Sequence, residues 1–348
     1  MLWTGIACLQ HPTPRIFEKI LIFELENSLL VVEEIHVEGV DRRRPGIYRI
    51  VRKLLSLPGF RILLPLARRV AGVTEMPGRI SFQAMPARET SVRGCQGLTV
   101  ISANLWHDWP KRRRVVERLE AFARLVDEHQ ADILLLQEVA RTTDFWTDQW
   151  LAHRLGMAYV YSRANGHLGG IGFEEGLAVF SRYPLGRPVL RQLSPVNNQF
   201  VHRLALGTQI QSPCGNLLAF SVHLSLMEKQ NASEATHLTD WVDDVSREGP
   251  ALVGGDFNAG EGSNQIKQLQ RSWLDTFRHL NPFADGATHE LHWPWGRALR
   301  RARLDYIFLK ARRDQWKVLE AHHLETPGER HSDHRAVLLR LAPIRVTT

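Results

Sequence analysis

The stretch "ALVGGDFNAG", residues 251–260, decides the fold. Three apolar residues, Ala251 to Val253, run into Gly254 and Gly255, then into an acid, an aromatic and an amide: Asp256, Phe257 and Asn258. A short apolar run bounded by glycines predicts a strand buried on both faces. Alternation puts Asp256 and Asn258 on one side of that strand and Phe257 on the other. Gly254 and Gly255 then leave room for neighbouring strand ends and for a ligand. A buried strand that delivers a carboxylate needs partners for it, because an unpaired buried charge costs several kcal/mol.

Working outward, the same oddity recurs. "LTVISAN" (98–104) ends on Asn104, "DILLLQE" (132–138) on Glu138 and "LLAFSVH" (217–223) on His223. Asp305 opens "LDYIFL" and Asp333-His334 precede "RAVLLRL". One carboxylate at a strand end is ordinarily a cap or a turn residue. Six polar ends on apolar strands predict one shared cleft at a common end of the sheets. Between them, residues 111–129 carry Val115, Leu119, Phe122 and Val126 at helical spacing. Further helices are predicted over about 228–247 and 263–270, and further strands over 175–181 and 203–211.

The residue types in this set point to a reaction. Asn, Glu and Asp are hard oxygen donors and no cysteine is among them, which suits Mg²⁺ or Mn²⁺ and argues against structural zinc. His223 and His334 add proton-transfer groups. A divalent cation beside His and Asp acid–base groups is the equipment for hydrolysing a phosphate ester.

Five motifs, "NLW" (104–106), "LQEV" (136–139), "GDFNAG" (255–260), "RLDYIF" (303–308) and "SDHRAV" (332–337), resemble in order and spacing the endonuclease/exonuclease/phosphatase (DNase I-like) superfamily. The resemblance covers about residues 98–343. It implies an α+β fold, a four-layer α/β/β/α sandwich with the site at one end of two sheets. It implies that Glu138 binds metal, with Asn104 beside metal and phosphate and Asp333 touching the metal. It gives Asp256 the attacking water, Asn258 and His334 the phosphoryl group, and Asp305 the orienting of His334. His223 resembles the histidine that protonates the leaving group in the DNase and sphingomyelinase branches, with Glu175 as its carboxylate partner. Arg203 is similar to a phosphate contact. Glu175 reads equally well as a surface charge at a strand start, Arg203 reads more readily as an exposed strand residue, and His331 matches no role. Trp106 stands where abasic-site endonucleases carry an acid, which speaks against that branch.

The remainder of the chain bounds the partners. A chain of 348 residues with 44% hydrophobic content holds one large domain plus an extension. The expected division is a basic N-terminal extension of uncertain fold, 1–75, a linker, 76–97, and the catalytic domain, 98–343. Net charge is +7, with a pI near 9.6. Residues 1–97 hold fourteen Lys/Arg against nine Asp/Glu. Between Asp41 and Glu75 there is no acid, and arginines alternate with apolar residues such as Ile47, Ile50, Val51 and Leu54. Such a span is either a basic amphipathic helix for an anionic membrane surface or nucleic acid, or a helix docked on its own domain. Upstream, "KILIFEL" and "LLVVEEIHV" predict two strands across a tight turn. Arg297, Arg300, Arg301 and Arg303 make the segment before Asp305 a basic rim, with Arg301 a phosphate contact. Tryptophans near loops (106, 109, 146, 150, 293, 295) either stack bases, enter a lipid interface or join the core.

Cys8, Cys95 and Cys214, far apart and odd in number, predict no disulfide framework and a reducing cytoplasm, with peripheral membrane attachment open. No signal peptide or membrane span is expected, and no obligate protein partner is implied. The expected substrate is a phosphate ester, with nucleic acid first. A phospholipid or small phosphate ester is the alternative, and an inactive binding module comes last.

Overall fold

The computed structural model describes residues 16–25, 28–37, 80–83 and 95–344, apart from 110, 169–171, 195–201, 248, 293–297 and 313–314. The basic span 42–69, Trp293 and Trp295 lie outside the described residues. In chain order, β1 (Ile16–Leu25) and β2 (Ser28–Val37) form the expected hairpin, with Leu25 paired to Ser28. Then come β3 (Ile80–Gln83), β4 (Leu98–Asn104), α1 (Val115–Glu128), β5 (Ile133–Thr142), α2 (Thr147–Leu155), β6 (Ala158–His167) and β7 (Phe173–Ser181). The second half holds β8 (Val189–Gln192), β9 (Leu204–Ser212), β10 (Gly215–His223), α3 (Glu228–Ser246), β11 (Ala251–Asp256) and α4 (Asn264–Ser272). The chain continues through β12 (Leu274–Asp275), α5 (Thr276–Leu280), β13 (His289–His292), β14 (Ala298–Ala302), β15 (Asp305–Lys310), β16 (Trp316–Leu324) and β17 (Ala336–Pro343).

One sheet has the order β16-β17-β4-β5-β7-β6-β3 and the other β12-β15-β11-β10-β9-β8. Within the span read as a linker, β3 is thus the edge of the larger sheet. The alternation of β4 explains the layering. Val100 faces the space between the sheets, with Ile133, Leu135, Leu252 and Ile307. Ile101 faces outward onto Phe122 and Val126 of α1. On the far side, Val253, Phe257 and Phe308 pack against Leu238 and Val242 of α3 and Ile266 of α4. The layers are helix, sheet, sheet and helix, as the motifs imply.

Among the described residues, two strand pairs are parallel, β4 with β5 and β10 with β11, each joined by a helical crossover, α1 and α3. The C-terminal ends of these four strands therefore point to one pole of the sandwich. β15 runs antiparallel to β11 and β17 antiparallel to β4, so both begin at that pole. Strand direction alone collects the polar ends.

The glycines of the opening stretch serve packing. A Cβ on Gly254 would lie 2.6 Å from Leu135 Cδ1 of the other sheet and 3.2 Å from the Ser102 side chain. A Cβ on Gly255 would collide with the Val222 carbonyl of the neighbouring strand. Their space is filled by strands, not reserved for a ligand.

Cys95 and Cys214 are joined in a disulfide across a sequence separation of 119. This corrects the expectation of unpaired cysteines. The bond ties the segment before β4 to the β9–β10 turn, at the pole opposite the polar strand ends. The inference of a reducing compartment, drawn from those cysteines, loses its basis.

Candidate active site

Asp256 is the meeting point. It ends β11, sits opposite His223 on β10 and opposite Asp305 on β15, and is 2% exposed. Its Oδ2 lies 3.2 Å from Asn104 Nδ2, 3.6 Å from His223 Nε2 and 3.9 Å from His334 Nε2. The Asn258 backbone N–H donates to its Oδ1 at 2.8 Å. Burial and the neighbouring Asp305 carboxylate raise the pKa of Asp256 to about 7.

His334 Nδ1 lies 2.8 Å from Asp305 Oδ2. Burial opposes a charge on this ring, but the carboxylates of Asp305, Asp256 and Asp333 outweigh it and hold His334 well above the ordinary imidazole value. His223 is the opposite case. Burial, and the Arg203 guanidinium after it, keep it neutral, well below that value. Of the two rings, the surroundings of His334 favour the charged form and those of His223 disfavour it.

Glu138 reaches the site by a local irregularity. The register of β5 against β7 shifts between Leu136 and Val139, and Glu138 has φ +53. This bulge turns Glu138 to the site, while the preceding Gln137 donates to Ser221 Oγ of the other sheet at 2.9 Å. The strand runs on to Thr142 instead of ending at Glu138. Glu138 accepts from Asn104 Nδ2 at 3.0 Å and from the His107 backbone N–H at 3.0 Å. Burial opposes its charge, but His107 and these hydrogen bonds pull its pKa down to about 2.

Asn104 Oδ1 accepts from the Trp106 backbone N–H at 2.9 Å, so its amide N–H faces the acids. In this orientation its Nδ2 is turned toward Glu138 and Asp256. Asn258 lies beyond the end of the strand with φ +50, and its Nδ2 donates to the Leu224 carbonyl at 2.9 Å. The predicted alternation stops at Phe257, which is fully buried. Asp333 lies in the turn before β17 and accepts from Ser332 Oγ at 3.2 Å.

The outlying residues divide. Glu175 is buried and accepts from Asn165 Nδ2 on β6; burial raises its pKa despite His107 and Asn165. Its partner is Asn165, not the expected His223. Arg203 is 5% exposed and acts on His223 and Glu175 through its charge. Arg301 stands apart, half exposed and ion-paired with Glu290 at 2.7 Å and Asp285 at 2.5 Å. Arg303, read as part of a basic rim, is buried and bridges Glu261 and Asp275 at 2.7 Å each. Trp106 packs 4.8 Å from the Arg118 guanidinium; Trp109, Trp273 and Trp316 are buried.

Sequence reasoning missed His107 and His289. His107 Nε2 lies 3.5 Å from Glu138 Oε2. The His289 ring lies 4.6 Å from that of His334. The signal for His107 was its place three residues after Asn104 in "NLWHDW". His331 is buried, and burial together with Arg118 lowers its pKa to about 4.

The donor set fits a hard divalent cation. Glu138, Asp256 and Asp305 bring carboxylates to one pole, and Asp305 Oδ1 is buried without a hydrogen-bond partner among the described residues. One ligand atom each of Asp256, Asp305 and His334 lies within 4.8 Å of the others. A cation there answers both the orphan oxygen and the crowded negative charge.

The sequence pattern of the Endonuclease/Exonuclease/phosphatase family matches residues 101–334. The chain belongs to that family. Its members are in general hydrolytic phosphoesterases and typically use divalent metals. Among curated proteins, none matches the chain. Solved structures share the fold. An endonuclease/exonuclease/phosphatase family protein from Leptotrichia buccalis C-1013-b is 18% identical, with TM-score 0.58, covering 70% of this chain and 99% of that one. The human Nocturnin catalytic domain with bound sulfate is 21% identical, with TM-score 0.58, covering 71% and 94%. D. rerio TDP2 complexed with single strand DNA product is 15% identical, with TM-score 0.56, covering 71% and 99%. Among the described residues, no helix is long and apolar enough to cross a membrane.

Proposed function

We propose that this chain hydrolyses phosphodiesters with a divalent cation, Mg²⁺ or Mn²⁺, and that its substrate is nucleic acid. The observation that carries the reading is the convergence of Asn104, His223 and His334 on one oxygen of Asp256. Glu138, ionised at neutral pH, with Asp256, Asp305 and Asp333, would hold the cation. The cation offsets phosphate charge and polarises the phosphoryl oxygens.

The residues do the rest. Asp256 Oδ2 takes a proton from water as the water oxygen bonds to phosphorus. Neutral His223 and the Asn104 amide fix that carboxylate, and the Asn258 backbone N–H fixes its other oxygen. His334, charged and held by Asp305, donates from Nε2, first to a phosphoryl oxygen and then to the ester oxygen as the P–O bond breaks. Glu175, Arg203 and His107 set the field around Glu138 and His223.

Nucleic acid is favoured by the rim. Exposed Lys111, Arg113 and Arg114 precede α1 near Trp106 and Asn104; Arg113 is paired with Asp108 and Arg114 with Glu329, so the edge pairs an aromatic face with partly offset positive charge. The net charge of +7 agrees, and the TDP2 neighbour was solved with a DNA product. The phospholipid reading draws on Leu226 and Met227, 43% and 56% exposed just beyond His223.

A panel of supercoiled plasmid, single-stranded RNA and sphingomyelin vesicles, each with Mg²⁺, Mn²⁺ or EDTA, tests the proposal. Plasmid nicking or RNA cleavage, lost with EDTA and in His334→Ala, is expected. Lipid turnover without nucleic-acid cleavage overturns the substrate. No turnover of any phosphodiester with either cation overturns the activity.

A further inference from the structure

A second group of metal-ligating side chains lies beside the first and differs in chemistry. One ligand atom each of His289, Asp333 and His334 lies within 4.8 Å of the others. His289 opens β13, and its backbone pairs with that of His334 as an isolated antiparallel bridge. The two rings tilt at 41° with centroids 4.6 Å apart. A cavity of about 190 Å³ lies against Asp333 and His334, with Thr288, Glu290, Arg330 and Arg335 also in its wall. At about 30 Å³ per water it holds roughly six waters.

We infer that His289, together with Asp333 and His334, which border the oxygen-rich site, forms a second site for a borderline transition metal such as Zn²⁺, inhibitory when filled. Two imidazoles and one carboxylate are a zinc-type donor set with a fourth position left for water, and Mg²⁺ is a poor competitor for nitrogen donors. His334 is oriented for coordination. Its Nδ1 faces Asp305 Oδ2 at 2.8 Å, which leaves Nε2 as the coordinating atom and makes Asp305 the carboxylate behind a metal-binding histidine. The cavity supplies water to complete the coordination. Filling the site displaces the Nε2 proton and occupies the atom that the proposed mechanism uses on phosphate. The inhibition, though not the binding, rests on that mechanism.

Co²⁺ serves as a visible probe on the full chain, with Mg²⁺ in excess. The wild type binds one Co²⁺ that Mg²⁺ does not displace and Zn²⁺ does. His289→Ala weakens this binding at least about 10-fold. It also raises the Zn²⁺ needed for half-inhibition of bis(p-nitrophenyl) phosphate turnover by a similar factor, while turnover with Mg²⁺ alone is unchanged. His289→Cys keeps the binding and shifts the Co²⁺ absorption, which separates a lost ligand from a lost fold. Wild-type Co²⁺ affinity in His289→Ala overturns the site. So does Co²⁺ binding that Glu138→Gln abolishes and His289→Ala spares. Because Co²⁺ absorption is read without turnover, its failure is distinguishable from failure of the phosphodiesterase reading.

Discussion

Two groups of acids flank the turn into β15, and they are treated in opposite ways. Glu261 and Asp275 are saturated with arginine. Arg303 bonds both, at 2.7 Å, 2.7 Å and 3.0 Å, and Arg278 grips both oxygens of Glu261 at 2.7 Å. Two residues along the chain from Arg303, Asp305 shares its pole with Asp256 and has a buried oxygen without a hydrogen-bond partner among the described residues. There, among the described residues, no arginine ion-pairs with either acid, and the ring of His334 is their basic neighbour. One cluster closes its charges and fixes the loop after β11 against β15. The other leaves negative charge open, which raises Asp256 and His334 together and suits a cation and a phosphate. Openness marks the chemistry, and saturation marks the scaffold.

The comparison is most strongly tested by breaking the saturated cluster. Arg303→Met strands Asp275, while Arg278 still holds Glu261, and is expected to cost about 3–5 kcal/mol in denaturant unfolding. A loss below about 1 kcal/mol would show that the arginine is not structural. At the far pole, Cys214→Ser removes a cross-link over a long loop and is expected to cost roughly 2–4 kcal/mol. Its turnover per folded molecule should match the wild type, giving a reference for purely structural loss. A matching loss of kcat would tie that pole to the site.

The smallest expected effect is on pH. Asp256 acts as a base only when ionised, so turnover falls as pH drops through about 7. His334 acts as an acid only while protonated, so turnover falls again as pH rises through its raised value. Added Mg²⁺ favours the ionised Asp256 and moves the acid limb lower. A flat profile between about pH 5 and 9 contradicts both assignments.

Much of this was legible in the sequence because the fold repeats a simple signal. β4, α1, β10 and β11 carry clean periodicity, and their polar ends stand out against apolar runs. What escaped depends on partners distant in sequence. The bulge that turns Glu138 exists only against β7, and the disulfide joins residues on opposite sheets. Arg303 and Arg301 looked like free cations because Glu261, Asp275, Asp285 and Glu290 are not recognisable as their partners along the chain. β16 was missed because its register shift between Val318 and Glu320 breaks the alternation on an edge strand. α2, nine residues long, is too short for its periodicity to show.

The central claim is that the open cluster gives up stability for chemistry, and Asp256→Asn reads both sides in one preparation. The account predicts turnover of a phosphodiester reduced about 100- to 10,000-fold, with a Tm equal to or above the wild type, since one charge leaves a crowded pole. Retained turnover, or a Tm lowered as far as in Arg303→Met, would contradict it.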